Sequence, residues 1–180
     1  MKKMLAMLLV LVVALCPVVL AEEVTEINWA DVEAAAAEIV ASGEFVTFDE
    51  IAVQMWIPTV MPAVELTAED IEAGYIGYFC TEDESAAISV MYVDADGMEL
   101  ADYAALLPEY GATEIEEGII NGLATLTYTL PEQDTACVAF ATEMGYILEV
   151  AMYPISDEGF AAVAGIVAAS IQPAAVEEAA

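Results

Sequence analysis

The stretch TEIEEGIINGLATLTYTL, from Thr113 to Leu130, is the clearest indication of the fold. Two runs rich in apolar and β-branched residues flank the dipeptide Asn121–Gly122. This dipeptide is the pair that two-residue hairpin turns favour, because both of its residues tolerate a positive φ. The stretch therefore predicts two antiparallel strands, Thr113–Ile120 and Leu123–Leu130.

Further strands are predicted on the carboxyl-terminal side of this hairpin. Pro131–Asp134 is typical of a turn and leads into a strand over Thr135–Thr142. Met144–Gly145 leads in the same way into a strand over Tyr146–Tyr153. With the hairpin, these strands predict an antiparallel meander.

A helix is predicted after the meander, with Ser156 as its cap and Pro173 as the residue that ends it. Asp157 and Glu158 lie in its first turn, where the helix dipole favours negative charge. The residues predicted to form its buried face are Phe160, Val163, Val167 and Ile171.

The amino-terminal half alternates between helices and strand pairs. A first helix is predicted from Asn28, which would act as its cap with Asp31 as box partner and Gly43 as the stop. The further predicted elements are strands at Glu44–Thr47 and Ile51–Ile57, a short helix that starts at Thr67–Asp70, strands at Tyr75–Thr81 and Ala86–Val93, and a helix from about Glu99 to Leu107.

The predicted order is α-β-β-α-β-β-α-β-β-β-β-α. Because short turns join most neighbouring strands, we expect an α+β fold with a largely antiparallel sheet of about six to eight strands flanked by helices, an α/β/α sandwich. We expect a single domain over residues 22–173 and a frayed acidic tail over residues 174–180.

The order of elements and several stretches resemble the PsbP/Mog1-like group of small exported bacterial domains. The resemblance covers Gly43 to Gln172 and rests on GEFVTFDEIAVQMWIP, YIGYFCTEDESAAISVMYV, GMELADYAALL and INGLATLTYTL. It implies an antiparallel sheet covered by helices and a non-catalytic accessory or protein-binding role.

Residues 1–21 have the features of a secretory signal peptide. Lys2 and Lys3 precede an apolar run, and Ala21 offers a small residue at the cleavage position. We therefore expect a secreted protein, or one of the cell envelope or periplasm, that meets the membrane only through this peptide. An uncleaved anchor and lipidation at Cys16 are the alternatives.

The charge of the chain excludes several kinds of function. It has 32 acidic side chains, two Lys or Arg in total and no His, for a formal net charge of -30. Nucleic-acid binding requires Lys or Arg to neutralise phosphates, so it is not expected. Histidine-assisted serine or cysteine catalysis lacks its base. We therefore predict a protein that is not an enzyme and carries no cofactor.

One stretch has the residue types of a weak Ca²⁺ site. Asp94, Asp96 and Glu99 surround a glycine turn, with Asp102 one turn further on, and oxygen ligands in this arrangement suit Ca²⁺. The alternative is that Asp96 caps the following helix with Glu99 as its box partner. A cation-responsive extracellular protein is therefore the second functional hypothesis.

A hydrolase that uses only carboxylates is the third hypothesis. Its candidate residues are neighbouring acids that we expect to face solvent: Glu82, Asp83, Glu84, Glu114, Glu116 and Glu117. Two cysteines remain after signal cleavage, Cys80 and Cys137. They could form one disulfide or, as their mid-strand positions favour, two buried thiols with raised pKa values.

A small apolar patch is the candidate interaction site. Trp56, Met55 and Met61 lie close together where a strand ends in proline, and aromatic residues near an edge often anchor a partner. An acidic chain would select a basic protein partner through electrostatic steering. The leading hypothesis is therefore a secreted, monomeric accessory domain that binds an unidentified protein.

Overall fold

The computed structural model describes residues 25–39, 42–93, 97–142 and 145–174. Several predicted features lie outside these ranges. They are the signal peptide, including Cys16 and the cleavage position Ala21, two of the predicted Ca²⁺ ligands, Asp94 and Asp96, and residues 175–180 of the predicted tail.

Ten strands and four α-helices are described. The strands are β1 (Thr25–Ile27), β2 (Gly43–Phe48), β3 (Val53–Pro58), β4 (Tyr75–Cys80), β5 (Ala87–Val93), β6 (Thr113–Ile120), β7 (Leu123–Leu130), β8 (Thr135–Ala141), β9 (Ile147–Tyr153) and β10 (Gln172–Pro173). The helices are α1 (Trp29–Ile39), α2 (Ala68–Glu72), α3 (Leu100–Leu106) and α4 (Glu158–Ser170). None of these helices combines the length and the apolar character that crossing a bilayer requires.

Seven strands form the main sheet, in the order β1-β6-β7-β8-β9-β5-β4. All pairs are antiparallel except β1 with β6, which run parallel. The predicted β6–β7 hairpin is present, with Ile120 opposite Leu123 and positive φ values at Asn121 and Gly122. The expected α+β sandwich with a largely antiparallel sheet is therefore confirmed.

Two predicted strands leave the main sheet. β2 and β3 pair antiparallel with Phe48 opposite Val53, and β10 pairs with the other edge of β3, forming a separate three-stranded sheet. Alternate residues of β3 are buried, so this small sheet packs face to face on the main one instead of extending it.

The main sheet has a hydrophobic core on each face. One core joins the small sheet and α4 to the main sheet, through residues such as Met55, Phe140, Leu148 and Val167. The other lies under α3 and the following 3₁₀ turn, where Leu107 packs with Leu126 and Ile147 on the opposite face. Successive side chains along the central strands β7, β8 and β9 point to opposite faces and are apolar on both, so most residues of β8 and β9 are buried, whereas β7 is buried only at Thr125, Leu126 and Tyr128.

The side chain of Asn121 joins three parts of the fold. Its Oδ1 accepts a hydrogen bond of 2.6 Å from the N–H of Trp29 at the start of α1. Its Nδ2 donates to the carbonyls of Ala169 and Ile171 at the end of α4, both at 2.8 Å. The cap predicted at Asn28 is thus supplied by a residue of the hairpin turn, and within the described ranges the Asn28 side chain makes no hydrogen bond.

Two of the other predicted helix starts differ in outcome. Thr67 caps α2 in a full capping box with Asp70, and the hydrogen bonds from the Thr67 backbone and hydroxyl lower the pKa of Asp70. For α4 the predicted cap was wrong: Asp157 accepts from the N–H of Phe160, whereas Ser156 donates through its N–H and hydroxyl to Asp134.

Candidate interaction groove

A groove of about 540 Å³ lies between β2, the loop of residues 59–66 and β4. Val46 and Phe48 of β2 line it together with Ile57 of β3, so its floor is apolar. The exposed Glu44, also on β2, lines the same groove. The groove therefore combines apolar contact area with a negative charge.

The period of two along β2 builds one wall of the groove. Glu44, Val46 and Phe48 lie on the face of the small sheet that points toward the main sheet, because they are paired with the buried inner residues of β3. Phe48 is buried, Val46 is half-buried and Glu44 is exposed. This strand edge thus runs from the core to solvent along the groove.

Because Gly77 has no side chain, Phe48 can pack against β4 at the floor of the groove. A Cβ on Gly77 of β4 would lie 2.7 Å from Cε1 of Phe48, so the ring fits only because Gly77 has no side chain. Phe48 also meets Phe79 edge to face, with ring centroids 6.4 Å apart. These contacts tie the small sheet to the edge of the main sheet.

The loop side of the groove covers the outer edge of β4. The N–H of Val64 donates to the carbonyl of Tyr78 at 2.8 Å, and Ala63 pairs with Phe79. The edge of β4 is therefore partly paired, whereas β2 pairs only with β3 among the described strands. Val64 itself is 42% exposed and adds apolar surface to this wall.

The predicted patch of Trp56, Met55 and Met61 does not form an exposed surface. Met55 is fully buried and Met61 is 2% exposed, because they point into the core between the two sheets. Trp56 lies on the opposite face of β3, stacked on Trp29 with ring centroids 6.4 Å apart and directly opposite Phe45. Of the three predicted residues, only Trp56 lies near the surface, as part of an aromatic cluster.

A polar cluster that the sequence did not reveal lies in the core under α3. Tyr128 donates a hydrogen bond to the carboxylate of Glu149, and Tyr103 lies 3.3 Å from both the Tyr128 hydroxyl and that carboxylate. The small side chains of Cys137 and Ala139 on β8 leave room for Tyr128 of β7 to reach Glu149 of β9.

Burial controls the pKa values of the two tyrosines and of Cys137 beside them. It raises the pKa of Tyr128, with the charge of Glu149 as the second cause, and raises the pKa of Tyr103 to about 12. The pKa of the Cys137 thiol is raised for the same two reasons, as the sequence predicted. These groups therefore keep their protons at neutral pH, and the tyrosines act as hydrogen-bond donors that tie α3 to the sheet. The one sequence signal was Glu149, the single acid in the apolar run of β9.

The predicted Ca²⁺ residues are only partly described. Glu99 is exposed at the N-cap position of α3 and makes no side-chain cap bond, and Asp102 is exposed in the first turn. The predicted capping box was therefore wrong, because the helix begins one residue after Glu99 itself. Within the four described ranges, no acidic, histidine or cysteine side chains gather into a metal-binding group.

The carboxylates considered for hydrolysis face solvent, as expected. Glu114, Glu116 and Glu117 on β6 are exposed, and so are the acids of the β4–β5 turn. In that turn, hydrogen bonds from Ser85 and Thr81 lower the pKa of Asp83. Cys80 and Cys137 are free thiols, the first half-buried and the second buried.

The architecture matches a solved structure, the solution structure of cyanobacterial PsbP (CyanoP) from Synechocystis sp. PCC 6803. The TM-score is 0.51, and the match covers 73% of this chain and 92% of that chain at 13% sequence identity. No protein-family model and no curated protein matches the sequence. At this identity the likeness establishes a PsbP-like fold, which confirms the resemblance predicted from the sequence.

Proposed function

We propose that the mature chain is an exported, non-catalytic accessory domain that binds a basic segment of a partner protein. The groove between β2 and β4 carries this proposal, because it offers apolar side chains beside an exposed carboxylate. The PsbP-like fold supports an accessory role, which is what the sequence resemblance implies.

The charge of the chain supports the choice of partner. Every charged side chain in the described ranges is a carboxylate, and the two lysines of the whole sequence lie in the predicted signal peptide. Such a field attracts cationic partners over long range and repels acidic ones, so it acts on association rate and selectivity. Burial of apolar side chains in the groove would then hold the partner.

Binding assays with charge-matched peptides test this function. The exported protein, purified from culture medium or envelope fractions, is titrated against labelled extended peptides that share apolar residues and carry Lys, Gln or Glu at the other positions. We expect binding of the Lys peptide alone, with an affinity that falls as salt is raised. Equal binding of all three peptides, or binding of none, would contradict the proposal. N-terminal sequencing of the same material tests export, with Glu22 as the expected first residue.

A further inference from the structure

We infer that the partner segment adds to the free edge of β2 as a fourth strand of the small sheet, with its apolar side chains in the groove and a Lys or Arg beside Glu44. This inference rests on the proposed function, since it assigns that function to one surface and one binding mode.

The free edge of β2 favours strand addition. Among the described residues the small sheet has the order β10-β3-β2, so β2 is its edge strand and no described strand pairs with the other side of its backbone. At the other border of the groove, residues 62–64 already pair with β4. An extended peptide that adds to such an edge gains backbone hydrogen bonds, while alternate side chains enter pockets. Of the two strands bordering the groove, β2 is therefore the one open to a partner.

The register along β2 specifies the peptide. Residues directly opposite each other on neighbouring strands share a face, so an added strand would place alternate side chains next to Phe48, Val46 and Glu44. Apolar peptide side chains would pack favourably beside Phe48 and Val46, and a lysine or arginine side chain would pair with Glu44. The expected sequence pattern is apolar-x-apolar-x-Lys or Arg in an antiparallel segment.

Charge argues against a second copy of this chain as the occupant. A like pairing of two β2 edges would bring together two molecules that each carry a formal net charge of -30, with one Glu44 from each near the contact. Like charges at an interface are unfavourable, and no lysine or arginine in the described ranges could offset them. The complementary occupant is therefore a basic segment of a different protein.

Peptide pairs test the binding mode without changing the protein. The first peptide has the apolar-x-apolar-x-Lys pattern, and the second has the same composition with its lysine moved by one residue to the opposite face. A third carries N-methyl groups on alternate backbone amides, which removes the donors that strand addition uses. We expect the second and third peptides to bind about tenfold more weakly than the first, through loss of the charge pair or of backbone hydrogen bonds.

Protein variants then locate the site. Glu44→Gln should weaken binding of the first peptide about threefold at low salt, and less at high salt, because Glu44 is exposed. Glu114→Gln removes the same charge from the exposed β6 and should leave the affinity within about twofold. Val46→Ser removes apolar contact without adding a charge and should weaken binding about fivefold.

The outcomes separate the inference from the proposed function. If lysine peptides bind but Glu44→Gln, Val46→Ser and N-methylation have no more effect than Glu114→Gln, strand addition at β2 is overturned while selection of basic partners stands. If no lysine peptide binds, both are overturned. A self-association that depends on Val46 in sedimentation experiments would also overturn the inference, since it would make the occupant a second copy.

Discussion

Replacing Asn121 should destabilise the fold far more than its position in an exposed-looking hairpin turn suggests. Its side chain makes hydrogen bonds to the N–H of Trp29 and to the carbonyls of Ala169 and Ile171. Asn121→Gly removes all three bonds while keeping a residue that accepts the φ of 48° found at this position. The substitution thereby separates the side-chain bonds from the geometry of the turn.

The expected loss follows from the number of bonds. Each hydrogen bond contributes a net value of about 0.5–1.5 kcal/mol, so the loss of three bonds in Asn121→Gly should lower the free energy of unfolding by about 1.5–4.5 kcal/mol. Asn121→Asp keeps an acceptor for Trp29 but turns a second oxygen toward the two carbonyls, so it should cost at least as much at neutral pH. Asn28→Ala is the control and should change stability by less than about 0.5 kcal/mol, because the Asn28 side chain makes no hydrogen bond within the described ranges.

Urea denaturation followed by tryptophan fluorescence measures these changes, with the slope m checked for constancy between variants. The tryptophans are suitable probes, because the N–H of Trp29 itself donates one of the three hydrogen bonds to Asn121. Two results would contradict this role of Asn121: a change within about 0.5 kcal/mol of the parent chain for Asn121→Gly, or a loss for Asn28→Ala as large as that for Asn121→Gly.

Three further substitutions test other parts of the fold. Thr125 Oγ1 is buried without a hydrogen-bond partner among the described residues. Thr125→Val should therefore raise the free energy of unfolding by up to about 1 kcal/mol. A lower free energy of unfolding in the same urea assay would show that the hydroxyl has a hydrogen-bond partner. Tyr128 keeps its proton in the folded protein, whereas a tyrosine in the unfolded chain loses it near pH 10. Above about pH 10 the unfolded state therefore binds fewer protons than the folded state, and the free energy of unfolding should fall as the pH rises. Tyr128→Phe should cost about 1–3 kcal/mol at pH 7 and flatten this alkaline decline; an unchanged slope between pH 9 and pH 11 would count against the assignment. Gly43→Ala would place a Cβ 2.1 Å from Cζ2 of Trp56. The substitution should therefore shift the tryptophan emission and lower the melting temperature. Unchanged emission would mean that the ring of Trp56 does not cover Gly43.

Local signals predicted most of the secondary structure. The Asn121–Gly122 turn, the apolar runs of β8 and β9 behind their turns and the helix start at Thr67–Asp70 depend on neighbours in the chain, so the sequence displays them directly. The PsbP-like order of elements follows from these same signals.

The remaining features depend on contacts between distant residues. β1 is only three residues long and mostly exposed, so its parallel pairing with β6 leaves no periodic pattern to detect. The division into two sheets arises because β3 packs on the main sheet, and alternation alone does not distinguish packing from pairing. Apolar character misled the prediction for Met55, since a residue suited to anchoring a partner is equally suited to a core.

The groove was hidden for a related reason. Its lining comes from β2, β3, β4 and the loop of residues 59–66, and no single stretch displays it. Gly77 was the available clue, because a glycine inside a strand often marks a close approach of another group, here the ring of Phe48.

The side chain of Asn121, which links the hairpin turn to α1 and α4, is also prone to chemical degradation. Asparagine followed by glycine is among the thermally labile pairs in proteins, because the following amide nitrogen readily attacks the side-chain carbonyl carbon and expels ammonia. Nδ2 leaves as this ammonia, so both of its bonds to the end of α4 are lost, and hydrolysis of the ring then leaves a carboxylate in place of the amide. Each unfolding event frees this side chain to react, and each reaction weakens the fold that had protected it. The working lifetime of the domain is thereby linked to one amide group in a hairpin turn.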